Sequence, residues 1–572
     1  MSKRRTAVAV GAVALITVVA GGAAPSASAA PPRTTAATDY LVLFRGTAAD
    51  AAARKAISRA GGTITEENTK LGYAYVRSRS ADFASTMAGS GTVRGAARER
   101  RIGTAPREQR AEAQQIERMT AEREGARGQN GLADAGPVRS AAGVTPEPLA
   151  NLQWDMRQIG ATATGSYAEN QGSKGVRVGI IDTGVEGSHP DIAPNFSKAL
   201  SRNFVVDMPD IDGPCEVATC VDPVDVDDND HGTHVASTIG SPINGLGIAG
   251  VAPNVTLVNI RAGQDSGYFF LKATLDALTY AGDVGVDVVN MSFYTDPWLY
   301  NCLDNPADSP AEQAEQRVVR EATQRALDYA LRNGVTPIAA MGNGATDLGR
   351  PTTDTSSPDY PADAAKPRDI DNSCITVPTE SRGVISVSAT GPSLRKAYYS
   401  DYGIEQTDVA APGGDVYDTP TNQRSFSAGV LAAYPERLAK ANGDLNPDGT
   451  PNNPAVVRDC SGTTCAYYQY LQGTSMAAPH AAGVAALVVS EHGRRDRARG
   501  GLRLAPAQTA RWLYRSAQPQ PCPRPRTFAY TRILPTGVVS ESSATCEGGI
   551  DRNGFYGRGI VNAYVAAGGT TS

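Results

Sequence analysis

Beyond about residue 152 the chain alternates short apolar runs with stretches of helical periodicity. Residues 176–181, 255–260, 286–291 and 335–340 are such runs, rich in valine and isoleucine. The alternation predicts an α/β domain, with a doubly wound, mostly parallel sheet flanked by helices. One connecting helix carries complete end signals. Ser309 is its cap, Pro310 lies in its first turn, Glu312 closes a capping box, and Gly334 is its stop.

The pattern ahead of this region is different. Residues 39–45 read as a strand, and 47–60 form an alanine-rich helical stretch that Gly61-Gly62 stops. Strands over 63–67 and 73–77 follow, then a short helix near 80–88. Together they predict a separate small α+β unit of ferredoxin-like type over 39–100. Arginine and glutamate alternate over 98–127, as in a solvated helix, and glycine, alanine and proline then dominate up to Pro148. Residues 101–150 therefore read as a charged, then flexible, linker open to proteolysis. The α/β domain is expected over 152–566, interrupted by a long polar insertion from about 415 to 470.

The amino terminus reads as an export signal over residues 1–29. Lys3, Arg4 and Arg5 precede an apolar run over 7–20, and Ala27-Ser28-Ala29 offers small residues for cleavage. The run is short for a span of about 20 residues. The expectation is a secreted, soluble protein without a stable membrane anchor. All eight cysteines lie at or beyond Cys215, and an even number in an exported chain suggests disulfides. Proximity suggests Cys215–Cys220, Cys460–Cys465 and Cys522–Cys546, leaving Cys302 for Cys374, from about a hundred possible pairings. No histidine stands near these pairs, which weakens a zinc reading. The net charge of −5 provides no basic field for phosphates and argues against a nucleic-acid partner.

Three segments carry candidate chemistry. Asp182 ends the run Val178-Gly-Ile-Ile. A carboxylate there sits at the sheet edge where ligands bind, and it needs a partner because an isolated buried charge is costly. Taken alone, such an aspartate more often caps the next turn. His231 and His234 share a helix face in Asp230-His-Gly-Thr-His234. A metal would need a third ligand, and the His-Glu-x-x-His pattern is absent, so a base oriented by a carboxylate is the better reading. Ser475, in Gly473-Thr-Ser475-Met-Ala-Ala-Pro479, stands at a helix mouth whose positive end favours developing negative charge. A serine there is ordinarily a cap. Together, the three residue types each sit on the kind of element that nucleophilic catalysis requires.

These segments resemble the three signatures of the subtilisin-like serine peptidases, the subtilases, in that family's order. The resemblance covers residues 152–566, and Tyr556-Gly-Arg-Gly-Ile-Val-Asn562 is similar to the family's closing segment. It implies a secreted serine endopeptidase acting through an acyl-enzyme, with Asp182, His231 (not His234) and Ser475 as its triad. Ala339-Ala-Met-Gly342-Asn343-Gly344 resembles the oxyanion segment, implying Asn343 and the Ser475 N–H as donors. Asp265-Ser266-Gly267 resembles the edge that pairs with substrate, and Asn290-Met-Ser292 the other wall, with Gly342 also in contact. Phe293 and Tyr294 follow where the family commonly has leucine and glycine, so Tyr294 is expected to narrow the primary pocket.

The resemblance further implies that 39–100 is a propeptide that assists folding and blocks the cleft until the chain is cut between about 102 and 148. The expected partners are polypeptide substrates and this propeptide. No cofactor is required for the chemistry. Asp191 and Asn244 fall where the family places ligands of a structural calcium, with the carbonyls of Pro242, Leu246 and Ile248 as further oxygens. Asp444-Leu-Asn446-Pro-Asp448-Gly449 opens like a calcium loop, but its twelfth position is Ala455, which favours an Asx-rich turn. The run Asp225, Asp227, Asp228, Asp230 reads as a solvated loop. An α/β-hydrolase would need Gly-x-Ser-x-Gly, and Ala477 replaces the second glycine. The alternative is a non-catalytic or narrowly specific processing protein on the same fold.

Overall fold

The computed structural model describes residues 37–99, 116–118, 144–360, 364–498 and 500–570. The export signal expected over 1–29 and most of the linker lie outside them. Among the described residues no helix is long and apolar enough to cross a membrane.

Residues 38–99 form β1 (Thr38–Phe44), α1 (Ala51–Arg59), β2 (Gly62–Asn68), β3 (Tyr73–Ser78), α2 (Phe83–Ala88) and β4 (Val93–Glu99). The antiparallel order β2-β3-β1-β4 is ferredoxin-like. The β1 sequence is apolar without alternation because both of its faces are covered. Tyr40, Val42 and Phe44 pack with Ile57, Phe83 and Met87 of the two helices. Leu41 and Leu43 point the other way, into a core shared with the large domain. This unit is therefore less separate than the sequence suggests. Tyr73 donates to Asp276 Oδ1 at 2.8 Å, and Arg325 donates to the carbonyls of Leu71 and Phe44.

The large domain is built on seven parallel strands: β5 (Arg177–Ile181), β6 (Arg202–Asn203), β7 (Thr256–Arg261), β8 (Val288–Met291), β9 (Thr336–Ala340), β10 (Ile385–Thr390) and β11 (Val409–Pro412). Their order is β11-β10-β9-β8-β5-β7-β6. The four apolar runs are the central strands β5, β7, β8 and β9. The order reverses at β5, which lies between β7 and β8, so the crevice outside its carboxyl end is a switch point suited to a ligand.

Helices cover both faces. α3 (His231–Gly240) and α6 (Thr474–His492) share one core with Val178 and Ile180, while α4 (Leu271–Val284) and α5 (Pro310–Arg332) share the other with Ile181. At the start of α5, Ser309 Oγ accepts from Glu312 N, and Glu312 accepts from Ser309 N at 2.7 Å. The insertion carries a sheet of its own. Its strands β12 (Val430–Ala433), β13 (Val456–Ser461) and β14 (Thr464–Leu471) make an antiparallel sheet against α3. His234 donates from Nε2 to the carbonyls of Val430 and Gln469, at 3.1 and 3.2 Å, and so anchors α3 to that sheet. Disulfides join Cys215 to Cys220, Cys302 to Cys374, Cys460 to Cys465 and Cys522 to Cys546.

Candidate active site

Asp182 leaves the end of β5 fully buried, and His231 opens α3 beside it. The two segments meet closely because both carry glycine. A Cβ on Gly232 would lie 2.1 Å from the Gly184 carbonyl oxygen. Asp182 Oδ1 accepts from His231 Nδ1 at 2.7 Å and from Thr183 N at 2.8 Å. Asp227 caps α3 by accepting from Thr233 N and its hydroxyl at 2.9 and 2.6 Å. Asp227 and Asp230 are both buried, so the acidic run is not a solvated loop. Half of it builds the platform beneath His231.

Ser475 is the second residue of α6 and is buried. Four residues on, Pro479 has no N–H to give, so the Ser475 carbonyl loses its helical partner. The Ser292 hydroxyl donates to it instead at 3.0 Å, tying the end of β8 to the mouth of α6. Asn343, beyond β9, has a fixed orientation. Its Oδ1 accepts from Thr474 N and from the Thr474 hydroxyl, each at 2.9 Å. Its Nδ2 therefore faces the crevice.

One carboxylate occupies the point where these groups converge. Glu117 Oε1 accepts from Ser475 Oγ at 2.5 Å and from Asn343 Nδ2 at 3.0 Å. Its Oε2 lies 3.5 Å from His231 Nε2. Arg118 pairs with Asp230 at 2.9 Å and donates to the Asn229 carbonyl at 2.6 Å. Residues 116–118 are helical and act as a plug, with Glu117 buried against Ser475 and Asn343 and its two neighbours half-buried. Nothing periodic in the sequence marks them; the only signal is Ile116, an apolar residue in a charged stretch. Burial raises the Glu117 carboxyl, with the His231 charge opposing. Burial also pushes the His231 imidazole down, but the carboxylates of Asp182 and Glu117 outweigh it and raise it to about 9.

The crevice is a cavity of about 680 Å³, and His231, Ser475, Asn343, Ser266, Gly267, Ser292, Phe293 and Gly342 all line it. Gly342 (φ +118°) approaches Asp401 so closely that a Cβ would lie 2.2 Å from Oδ2. Phe293 stacks on Phe269, with ring centroids 4.1 Å apart. Tyr294 also lines the cavity, held by a 2.6 Å bond to Asp359 Oδ2. Sequence reasoning did not single out Thr474, although it stands inside the Gly473-Thr-Ser475 segment.

The sequence profile of the subtilase family matches residues 173–551, well over half of the chain. The chain belongs to the subtilase family. It is 29% identical over 328 residues to subtilisin DY of Bacillus licheniformis, covering 56% of this chain and 80% of that protein. Against thermitase of Thermoactinomyces vulgaris it is 26% identical over 344 residues, covering 60% and 84%. In fold it is similar to the epidermin leader peptide processing serine protease of Staphylococcus aureus, with a TM-score of 0.59 and 19% identity over 94% of this chain and 99% of that one. This subtilase is a serine-type endopeptidase, and enzymes of its family need no cofactor for catalysis.

Asp191 and Asn244, the side chains expected to hold calcium in this subtilase, lie side by side. Asp191 Oδ1 accepts from Asn244 Nδ2 at 3.0 Å, and Oδ2 accepts from Ile248 N and the Tyr468 hydroxyl, both at 3.1 Å. A second acidic group, Asp207, Glu216, Asp222 and Asp265, brings oxygens within 4.8 Å of one another. The Arg261 guanidinium already stands among them, 2.7 Å from Asp265. Asp448 accepts from Thr450 N at 2.9 Å, as in an Asx turn.

Proposed function

We propose that this subtilase is a secreted endopeptidase made as a latent precursor, in which Asp182, His231 and Ser475 carry acyl transfer. The single observation behind this reading is the shared Glu117 oxygen. Ser475 Oγ and Asn343 Nδ2 hold one anionic atom between them, as they would the oxyanion of a tetrahedral intermediate. With the plug withdrawn, Ser475 gives its proton to His231 Nε2 and attacks the scissile carbonyl. Asp182 holds Nδ1–H and stabilises the imidazolium, which then protonates the leaving amine. Water repeats the sequence on the acyl-enzyme.

In this reading residues 1–29 direct export, 39–100 are an inhibitory and folding-assisting propeptide, and maturation cuts between about 102 and 148. The sheet of 38–99 against α4 and α5 and the plug at 116–118 support latency. The four disulfides suit an oxidising compartment. A fluorophosphonate probe should tag Ser475, as located by mass spectrometry. Failure to tag Ser475 in both the wild type and a Glu117→Ala full chain would overturn the reading.

Latency should depend on pH. The His231 pKa lies above the free value of about 6.5. Its contact with Glu117 therefore contributes fully below that pH and is lost as pH rises through about 9. Tagging of the wild-type full chain should accelerate across this window. Glu117→Gln removes the charge-assisted bonds and should raise the neutral-pH rate about tenfold or more. Superimposable pH curves for the two proteins would contradict the assignment.

A further inference from the structure

Asn343 can meet a developing oxyanion only if the loop that carries it is held still, and glycines flank it on both sides, at Gly342 and Gly344. Thr474 takes one part of the task. Its hydroxyl donates to Asn343 Oδ1 and accepts from Gly342 N at 3.0 Å. The rest falls to a different stretch of chain, residues 399–402. Asp401 N donates to the Gly342 carbonyl at 2.9 Å, and Asp401 Oδ1 accepts from Thr346 N at 2.7 Å. Ala345 N donates to the Tyr399 carbonyl at 2.7 Å, and Tyr402 N to the Thr346 carbonyl at 3.0 Å. Asp401 thus grips the loop both before and after Asn343. It is 5% exposed, and it fits only because Gly342 has no side chain. Its own turn is fixed by Lys396, a buried cation that donates to the carbonyls of Ala397 and Ser400 at 2.9 and 2.7 Å.

We propose that Asp401 is a positioning residue of the oxyanion hole: its bond to Thr346 N keeps Asn343 Nδ2 aimed at the oxygen that becomes negative in the tetrahedral intermediate. The proposal rests on the endopeptidase reading above and adds to it the residue that sets its oxyanion donor. In this role Asp401 acts through the loop and not on the substrate. Burial pushes the Asp401 carboxyl up to about 7, and the Thr346 amide and the Lys396 charge pull against it. The bond to the loop thus helps to keep the group anionic. A small displacement is enough to matter, because the donor must lie about 3 Å from the oxyanion, and a misplacement of about 1 Å costs about 10²-fold in rate. The oxyanion does not exist in the bound substrate, so the loss falls on kcat and spares KM. Two other uses of the carboxylate differ on this point. A group that met a cation of the substrate would act on KM, and one that only stiffened the fold would not single out Asn343.

The test is steady-state turnover of a fluorogenic peptide by full chains that all carry Glu117→Ala, so that the plug does not cover the hole. The parent is compared with Asp401→Ala, with Asn343→Ala and with the two changes together. Asp401→Ala should lower kcat about tenfold or more, with KM within about twofold of the parent. In the Asn343→Ala background the same change should cost less than about threefold, because the donor it positions has gone. Asp401→Asn, which keeps an oxygen for Thr346 N, should recover most of the lost kcat. If Asp401→Ala does not fold, Asp401→Ser, whose side chain is too short to keep the bond to Thr346 N, takes its place in the same cycle. Equal losses of kcat in both backgrounds, a change confined to KM, or no recovery with asparagine would overturn this inference alone. A parent chain with neither turnover nor a fluorophosphonate tag on Ser475 would remove the endopeptidase reading and this one with it.

Discussion

His231→Ala in the full chain will lower kcat for a peptide substrate by about 10⁶-fold, the loss measured in a subtilisin when either the nucleophile or the base is removed. The geometry explains why so much depends on one ring. Ser475 Oγ has near it a carboxylate of the plug, the Ser292 carbonyl and the Asn343 amide, and in the proposed mechanism the imidazole of His231, 3.5 Å from the other oxygen of that carboxylate, takes and returns the proton. His234 cannot substitute. It lies on the same helix face, but it is fully buried with Nε2 committed to two backbone carbonyls, and burial lowers it to about 3. The measurement is steady-state turnover against a fluorogenic peptide, with circular dichroism to verify the fold. A loss below about tenfold would mean that another group serves as base.

Asp182→Ala should cost less, about 10⁴-fold in kcat, again the scale found for a subtilisin. The serine and the imidazole both remain, so acyl transfer can still start. What disappears is the anion at 2.7 Å that orients Nδ1–H and offsets the positive charge of the imidazolium. The variant makes a second, independent claim. The charge of Asp182 is the first of the two carboxylates that raise His231 to about 9, so the imidazole of the variant should titrate at lower pH. NMR titration of the ring would check this. An unchanged titration beside a 10⁴-fold loss would assign Asp182 a purely steric role.

Much of the fold was legible because it depends on local period. The runs at 176–181, 255–260, 286–291 and 335–340 became central strands, since a strand buried on both faces has to be apolar throughout. The strands of the insertion were less legible because β14 is rich in tyrosine, whose rings are buried while its hydroxyls keep polar partners. The neighbourhood of Asp182, His231, Ser475 and Asn343 was legible for a different reason. Each stands beside a glycine or a small residue that allows close approach, and this leaves a compact written signature. Glu117 leaves no such trace. Its place beside Ser475 and Asn343 comes only from which distant segment it meets, a tertiary fact that no local spacing encodes.

The plug at 116–118 meets the nucleophile with the end of a side chain instead of a peptide carbonyl. A blockade of this form offers Ser475 no bond to break, so it cannot be eroded by the enzyme's own turnover at that point. In the proposed precursor, release would begin elsewhere, by a cut in a more distant part of the tether or by another copy of the enzyme already at work. The first active molecules in a population would then set the pace for all the rest.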